Sequence, residues 1–243
     1  MFMQKKIVML TAYSTPSAFI ADNAGVDIIL VGDSVANVVH GFKSTKEIGM
    51  EEMLLHVKAC ARAKPKALLV ADMPYKSYSN SMLALENAKK FLDAGAKAIK
   101  IEGFDPKVMK TLTENKIKVM GHIGYLPQTD KKPIIKKDEK KLLEEALNLE
   151  ATGCEWIVLE LVPEKIAKLI TEKISIPTIG IGSGRYCSGQ VLVFHDLLGL
   201  NPVEFKPKYL KQYANLKKEA IKAVKQYAKE VRTGKFPQKK NCY

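Results

Sequence analysis

Six ionisable residues stand inside or at the end of short apolar runs. Asp33 closes VDIILVGD and Asp72 closes ALLVAD; Lys100 and Glu102 lie in AIKIEG, His122 in KVMGHIG and Glu160 in WIVLEL. A single charge where a strand meets a loop needs no special reason, because Asp and Glu are mostly exposed. Lys100 and Glu102 are harder to dismiss. Two apart in a strand, they share one face, and burial there demands each other or a ligand. Three carboxylates, Asp33, Asp72 and Glu102, with no thiolate among them, suit a hard divalent cation. Magnesium prefers oxygen ligands and keeps waters that a chelating substrate can replace. A 2-oxo acid is such a chelator, through its carboxylate and keto oxygens. The ion then acts as a Lewis acid on the keto oxygen and acidifies the neighbouring C–H. Glu160, from another strand, can take that proton. Lys100 can hold the substrate carboxylate or the developing enolate charge. The chemistry is carbon–carbon bond formation through a metal enolate.

Bringing these residues together requires an architecture in which successive strand ends meet. The chain repeats one pattern: a β-branched apolar run, a loop, then a helix-period segment. The runs at 6–13, 26–33, 67–72, 98–103, 118–124, 156–161 and 177–182 read as strands. They lack alternation, as strands covered on both faces do. Ser44 or Thr45 with Glu47 forms a capping box, and Pro163 sits at a helix start. The stretch 190–199 reads as a helix from its length and Gly199. That leaves 208–214 as the eighth strand, with a closing helix behind it. Eight units in 243 residues predict a closed (β/α)8 TIM barrel, whose active site lies at the carboxyl ends of the strands. No linker or shift in composition marks a boundary, so 1–243 reads as a single catalytic domain.

The formal charge of +13 raises nucleic-acid binding as a competing function. Its distribution argues otherwise. The lysines crowd 131–141, 206–229 and the tail, with arginine scarce and no interleaved aromatics, as on solvated helix faces. Cys60, Cys154, Cys187 and Cys242 form no C-x-x-C pair and read as free thiols. GIGSG (180–184) is similar to barrel phosphate loops but reads first as a tight turn. His195-Asp196 reads as structural, His40 and His56 show no partner pattern, and His56 reads as an ordinary helix residue. No apolar run reaches membrane-span length, and the start makes a poor signal peptide, so a cytoplasmic protein is expected.

MLTAY, LVGDS, HGF, ADMPY, KIEG, GHIGYLPQ, IVLELVP, IGIGSG, GQVLVFHD and PKYLKQYANL follow one another along nearly the whole chain. In that order they resemble the ketopantoate hydroxymethyltransferase family. The resemblance implies a barrel of the phosphoenolpyruvate-mutase-like kind, assembled as a decamer. It implies transfer of a hydroxymethyl unit from 5,10-methylenetetrahydrofolate to 3-methyl-2-oxobutanoate, in pantothenate and coenzyme A synthesis. By motif, Asp33, Asp72 and Glu102 match the family's Mg2+ site. Asp33, Ser34, Asp72 and Lys100 match its keto-acid contacts, Glu160 its base, and His122 a histidine lining the pocket. The chain departs from the pattern in opening almost at once on strand one and in having Ser14 where members carry Asp. It also has a short lysine-rich segment, Asp130 to Lys141, in place of a longer loop. Those lysines are expected to face the folate's glutamate tail or solvent. A lyase or mutase of the same superfamily is the competing enzyme; it would carry a cysteine-bearing K-K-C-G-H-like loop, which is not found here.

Overall fold

Eight parallel strands close on themselves in sequence order. The computed structural model describes residues 5–202 and 206–243. Its strands are β1 (Ile7–Thr11), β2 (Ile28–Val31), β3 (Leu68–Asp72), β4 (Ala98–Glu102), β5 (Val119–Gly124), β6 (Trp156–Glu160), β7 (Thr178–Ile181) and β8 (Gly189–Leu192). Parallel neighbours require crossovers. These are α1 (Thr15–Asn23), α2 (Val35–Val38) with α3 (Met50–Ala61), α4 (Ser81–Asp93), α5 (Pro106–Glu114), α6 (Glu139–Ala151) and α7 (Glu164–Lys173). Side-chain caps begin α4, α5 and α6: Asn80 Oδ1 accepts from Leu83 N at 3.0 Å, Asp105 Oδ1 from Lys107 N at 2.9 Å and Asp138 Oδ1 from Lys141 N at 3.1 Å. The Ser44–Glu47 box is present, but it caps a 3-10 turn over Thr45–Glu47, and α3 starts later behind Gly49.

The eighth strand is not at 208–214. It is β8, which pairs with β1 from Ile7↔Gly189 to Leu10↔Leu192 and with β7 at Ile179↔Gly189. Residues 182–188 join β7 to β8 without a helix. A reading that demands a helix in every unit therefore takes the next stretch for one. In fact 190–199 holds most of β8 followed by a short helix, α8 (Phe194–Leu198), with Gly199 behind it. The segment 208–214 has no β-branched residue and forms neither helix nor strand.

Met9, Ile28, Leu30, Val70, Ala98, Met120, Val158, Ile179 and Val191 form the apolar core inside the barrel. Side chains along a strand repeat their direction every second residue. One step beyond Val70 comes Asp72, beyond Ala98 Lys100, beyond Met120 His122, and beyond Val158 Glu160. The polar groups are thus the next inward layer, set on an apolar floor at the carboxyl end.

The chain forms two compact units, one ending at Phe194 and one beginning at His195. In the second, Asp196 pairs with Asn201, and Tyr213 N donates to Leu197 O at 2.8 Å. Its main element is α9 (Leu216–Arg232), which buries none of its residues. Ile221, Val224, Tyr227 and Val231 form an exposed apolar stripe along it.

Closure of the barrel rests on a close approach at Gly189, where an added Cβ would fall 2.5 Å from Ile7 O and 2.7 Å from Ile7 Cβ. Gly189→Ala is expected to destabilise the protein by about 2 kcal/mol, read as a lower urea midpoint. An unchanged midpoint would show slack in the β8–β1 seam.

Candidate active site

Strand register assembles the site. Asp72 lies opposite Lys100, Glu102 opposite His122, and Gly124 opposite Glu160. Lys100 Nζ donates to both carboxylate oxygens of Asp72 at 2.9 Å and stands 3.9 Å from Glu102 Oε1. His122 lies between two carboxylates, Nδ1 at 3.4 Å from Glu102 Oε1 and Nε2 at 3.3 Å from Glu160 Oε2. These are ion-pair distances rather than well-directed hydrogen bonds. Asp33, just past β2, gives its backbone N–H to Asp72 Oδ2 at 3.3 Å. Ser34 Oγ shares a hydrogen bond with the Tyr13 hydroxyl at 2.8 Å. Asp33, Asp72, Lys100, Glu102 and His122 are buried; Glu160 is only partly so. All six ionisable residues predicted from the sequence therefore belong to one neighbourhood, with Ser34 at its edge. Gly124 lets β5 and β6 converge there, because its φ is +96° and a Cβ would fall 2.2 Å from Glu160 O.

Sequence reasoning gave Gln128 no role, and the structure does. It is fully buried. Its Nε2 donates to Asp33 Oδ2 at 2.9 Å and to Met73 O at 3.0 Å, and its backbone N donates to Glu102 Oε2 at 3.0 Å. Its Oε1 accepts from the Tyr78 hydroxyl at 2.6 Å. The available signal was a polar residue following Pro127, three residues after a strand that carries His122. His40 and His56, read as unpartnered, are 2.8 Å apart through their Nε2 atoms, and His56 Nδ1 lies 2.7 Å from Tyr13 O. Ser183 of the GIGSG turn donates to Leu159 O at 2.7 Å and accepts from Val162 N at 3.1 Å, which is structural work. Cys60, Cys154 and Cys187 are buried free thiols, and Cys242 is exposed.

Burial pushes the Asp33 carboxyl up to about 8, reinforced by Asp72 and Glu102. Burial also raises Asp72, against the pull of Lys100. Burial opposes the charges of Lys100 and His122, but their partners win. Asp72, Glu102 and Asp33 hold Lys100 above its ordinary value, and Glu102 and Glu160 raise His122 to about 9. Burial opposes the Glu102 carboxylate too, yet His122, Lys100 and the Gln128 N–H hold it below its ordinary value. At formal charge, four carboxylates face one ammonium and one imidazolium, so two negative charges are left over. That excess, on an all-oxygen donor set, fits a divalent cation. Among the described residues, no three His, Cys, Asp or Glu side chains already converge on a metal position. Asp72 faces Lys100 and Asp33 faces Gln128. Magnesium needs only one or two carboxylates beside its waters, so Asp33 and Asp72 suffice as direct ligands. Glu102 can contribute directly or through those waters.

The sequence profile of the ketopantoate hydroxymethyltransferase family matches residues 2–239. The 3-methyl-2-oxobutanoate hydroxymethyltransferase of Thermotoga neapolitana is 53% identical over 250 residues, covering 99% of this chain and 92% of that protein. The same-named protein of Thermotoga maritima is 51% identical, with 99% and 92% covered. Among solved structures, 2,3-dimethylmalate lyase, a PEP mutase/isocitrate lyase superfamily member, aligns with a TM-score of 0.62 at 14% identity, covering 98% of this chain and 87% of that one. Phosphonopyruvate hydrolase, in complex with oxalate and Mg++, aligns with a TM-score of 0.64 at 14% identity, covering 98% and 88%. At such identities the structures show the fold alone, a closed barrel of parallel strands.

The raised values set a pH dependence. A group with a higher pKa folded than unfolded binds its proton more tightly when folded. Its contribution is complete below the unfolded value and lost as pH rises through the folded one. For Asp33 that window runs from 3.8 to about 8, and for His122 from 6.5 to about 9. In EDTA, the denaturant midpoint is expected to fall as pH rises from 6.5 to about 8, where the two windows overlap and the lowered carboxylates no longer titrate, and His122→Gln to flatten that fall. A midpoint that rises over that range would contradict both shifts.

Proposed function

The chain belongs to the ketopantoate hydroxymethyltransferase family, and on that premise we propose its reaction in detail. It transfers a hydroxymethyl group from 5,10-methylenetetrahydrofolate to 3-methyl-2-oxobutanoate, giving 2-dehydropantoate for pantothenate and coenzyme A synthesis. Asp33, Asp72 and Glu102 would hold a magnesium ion, which when bound polarises the keto oxygen and makes the C3–H acidic. The oxalate and magnesium of the phosphonopyruvate hydrolase neighbour support that assignment, since oxalate offers the same pair of chelating oxygens. Ser34 and Lys100 contact the keto acid together with Asp33 and Asp72. Lys100 brings a positive charge to the substrate carboxylate or enolate oxygen. Glu160 removes the C3 proton. His122, 3.3 Å away, orients its carboxylate. Water adds to the folate methylene carbon, both methylene–nitrogen bonds break, and tetrahydrofolate leaves with a hydrogen on each freed nitrogen. The C3 carbanion attacks the formaldehyde carbon so released, and its oxygen, which came from the water, takes a proton to become the hydroxyl.

The observation that carries this assignment is a contrast in exposure. The Asp72 and Glu102 side chains are 2% and 1% exposed, and the Glu160 side chain is 16% exposed. Glu160 is thus the carboxylate of this layer that a substrate can reach. In the lysine-rich segment, Lys136 is paired with Asp130 at 2.8 Å, whereas Lys131, Lys132 and Lys137 are exposed. We assign those three to the folate's anionic glutamate tail. The apolar stripe on α9 supports a homo-oligomer, the decamer that the sequence resemblance implies. No helix among the described residues is long and apolar enough to cross a membrane, which suits the cytoplasmic placement we propose.

With magnesium and no folate, the protein is expected to exchange the C3 hydrogen of 3-methyl-2-oxobutanoate with solvent deuterium, and EDTA to stop it. Glu160→Gln should slow exchange by about 10²–10⁴-fold while keeping keto-acid binding; Asp72→Ala should weaken binding itself. Undiminished exchange in Glu160→Gln removes Glu160 from the base role. Replacing Lys131, Lys132 and Lys137 with Gln should raise the folate KM and leave folate-free exchange unchanged; an unaltered KM refutes the tail contact.

A further inference from the structure

Gln128 spends its polar groups on the site. Both hydrogens of Nε2 are used, one on Asp33 Oδ2 at 2.9 Å and one on Met73 O at 3.0 Å. Its Oε1 takes the Tyr78 hydroxyl at 2.6 Å, and its backbone N–H goes to Glu102 Oε2 at 3.0 Å. The orientation of the amide is fixed by these partners. Turned over, its oxygen would face the carbonyl of Met73, an acceptor only, and the bond to that carbonyl would be lost. Tyr78 is itself anchored: the buried Asn87 of α4 donates from Nδ2 to Ser77 O at 2.8 Å, next to Tyr78 in the chain. One line of contacts therefore runs from α4 through Tyr78 and Gln128 to the ends of β2, β3 and β4.

We infer that Gln128 is a positioning residue that sets the two outer carboxylates, Asp33 and Glu102, for the cation and keto acid. By holding Oδ2 of Asp33 and Oε2 of Glu102, it directs the other oxygen of each toward the site. Glu102 Oε1 indeed faces Lys100 and His122. Glutamine is the side chain this place requires. Glutamate would set another carboxylate against Asp33, and asparagine is one methylene too short to span from the backbone bond on Glu102 to Asp33. The same contacts close residues 125–130 over the strand ends, so ordering of that segment and ordering of the ligands are one event. The inference rests on the divalent-cation reading of the site proposed above.

The test compares the full-length protein with Gln128→Met, which keeps the volume and removes the polar atoms, and Tyr78→Phe, which removes only the hydroxyl. Mn2+ binding is titrated by the loss of its free-ion paramagnetic resonance signal, and C3 deuterium exchange is followed at saturating Mn2+. Gln128→Met is expected to bind Mn2+ about tenfold more weakly, as befits loss of hydrogen bonds to charged groups, and to exchange more slowly even when saturated. Tyr78→Phe should shift both in the same direction by about threefold. A merely structural Gln128 would lower the melting temperature and leave ion affinity and exchange per folded molecule at wild-type values, and that result overturns the inference. Should Gln128→Met fail to fold, Tyr78→Phe decides: wild-type affinity and exchange there overturn it equally. Failure of the wild-type protein to bind Mn2+ or to exchange would instead sink the functional reading, and the inference with it.

Discussion

Lys100 donates to both oxygens of Asp72 at 2.9 Å, from a side chain only 5% exposed. An ammonium so placed has lost its water, and nothing but carboxylates can replace it. Asp72, Glu102 and Asp33 do so together, and they are held close to one another only because Lys100 is among them. Removing one partner of such a buried pair costs about 3–5 kcal/mol, because the charges left behind remain buried. The cluster is also overbalanced. His122 offsets part of the excess, yet the carboxylates still outnumber the cations. The protein relieves this by keeping protons on Asp33, or by taking up a cation. Ligand affinity is thus stored in the folded state as unmatched charge.

The barrel makes this arrangement affordable by confining it to one layer. Beneath it, Val70, Ala98, Met120 and Val158 belong to a core with no polar side chain. The charged residues follow at the next inward position of the same strands. Strand register then decides who meets whom: Asp72 beside Lys100, Glu102 beside His122. Contacts between residues far apart in the chain thus follow from the register of the backbone ladder. Asp72, Glu102 and Glu160 each end a strand, but the Glu160 side chain is 16% exposed where the other two are 2% and 1%. The same period-two rule thus yields buried charged groups and one partly exposed carboxylate, the one proposed to move a proton.

Much of this was legible in the sequence. Seven strands announced themselves as apolar runs between helix-period segments, and five of those runs carry the six ionisable residues that the structure brings into one neighbourhood. Lys100 and Glu102 were legible as a pair because they interrupt one apolar run two apart. Two things were not legible. Strand β8 hid in 190–199 because four residues of strand and five of helix share one apolar stretch, and Gly189 makes its contact by having no side chain. Gln128 was invisible for a different reason. It lies in a loop, where no periodicity constrains direction, and its partners are 95, 55, 50 and 26 residues away in the chain. Only the closed barrel brings them within reach. The His40–His56 contact was hidden in the same way, across a loop and a helix.

The segment after β5 joins these themes. Tyr125 N donates to Glu160 O at 2.8 Å, Gln128 N to Glu102 at 3.0 Å, and Lys136 N to Leu161 O at 3.1 Å. Leu161, directly after Glu160, has φ of +50°, a left-handed conformation that a branched residue adopts at a cost of about 1 kcal/mol. That turn ends β6 at Glu160, and it is held by Leu161 N on Ile181 O at 3.0 Å as well as by the bond from Lys136. One stretch of chain therefore touches the strand bearing Glu160, the strand bearing Lys100 and Glu102, and Asp33 beyond β2. An order imposed on it by a ligand reaches β6 through backbone bonds, and Glu102 and Asp33 through Gln128. The exposed lysines sit on that same stretch. Under the proposed folate assignment, an anionic tail held there would bear on the position of Glu160, because the same segment is bonded to Glu160 O and Leu161 O.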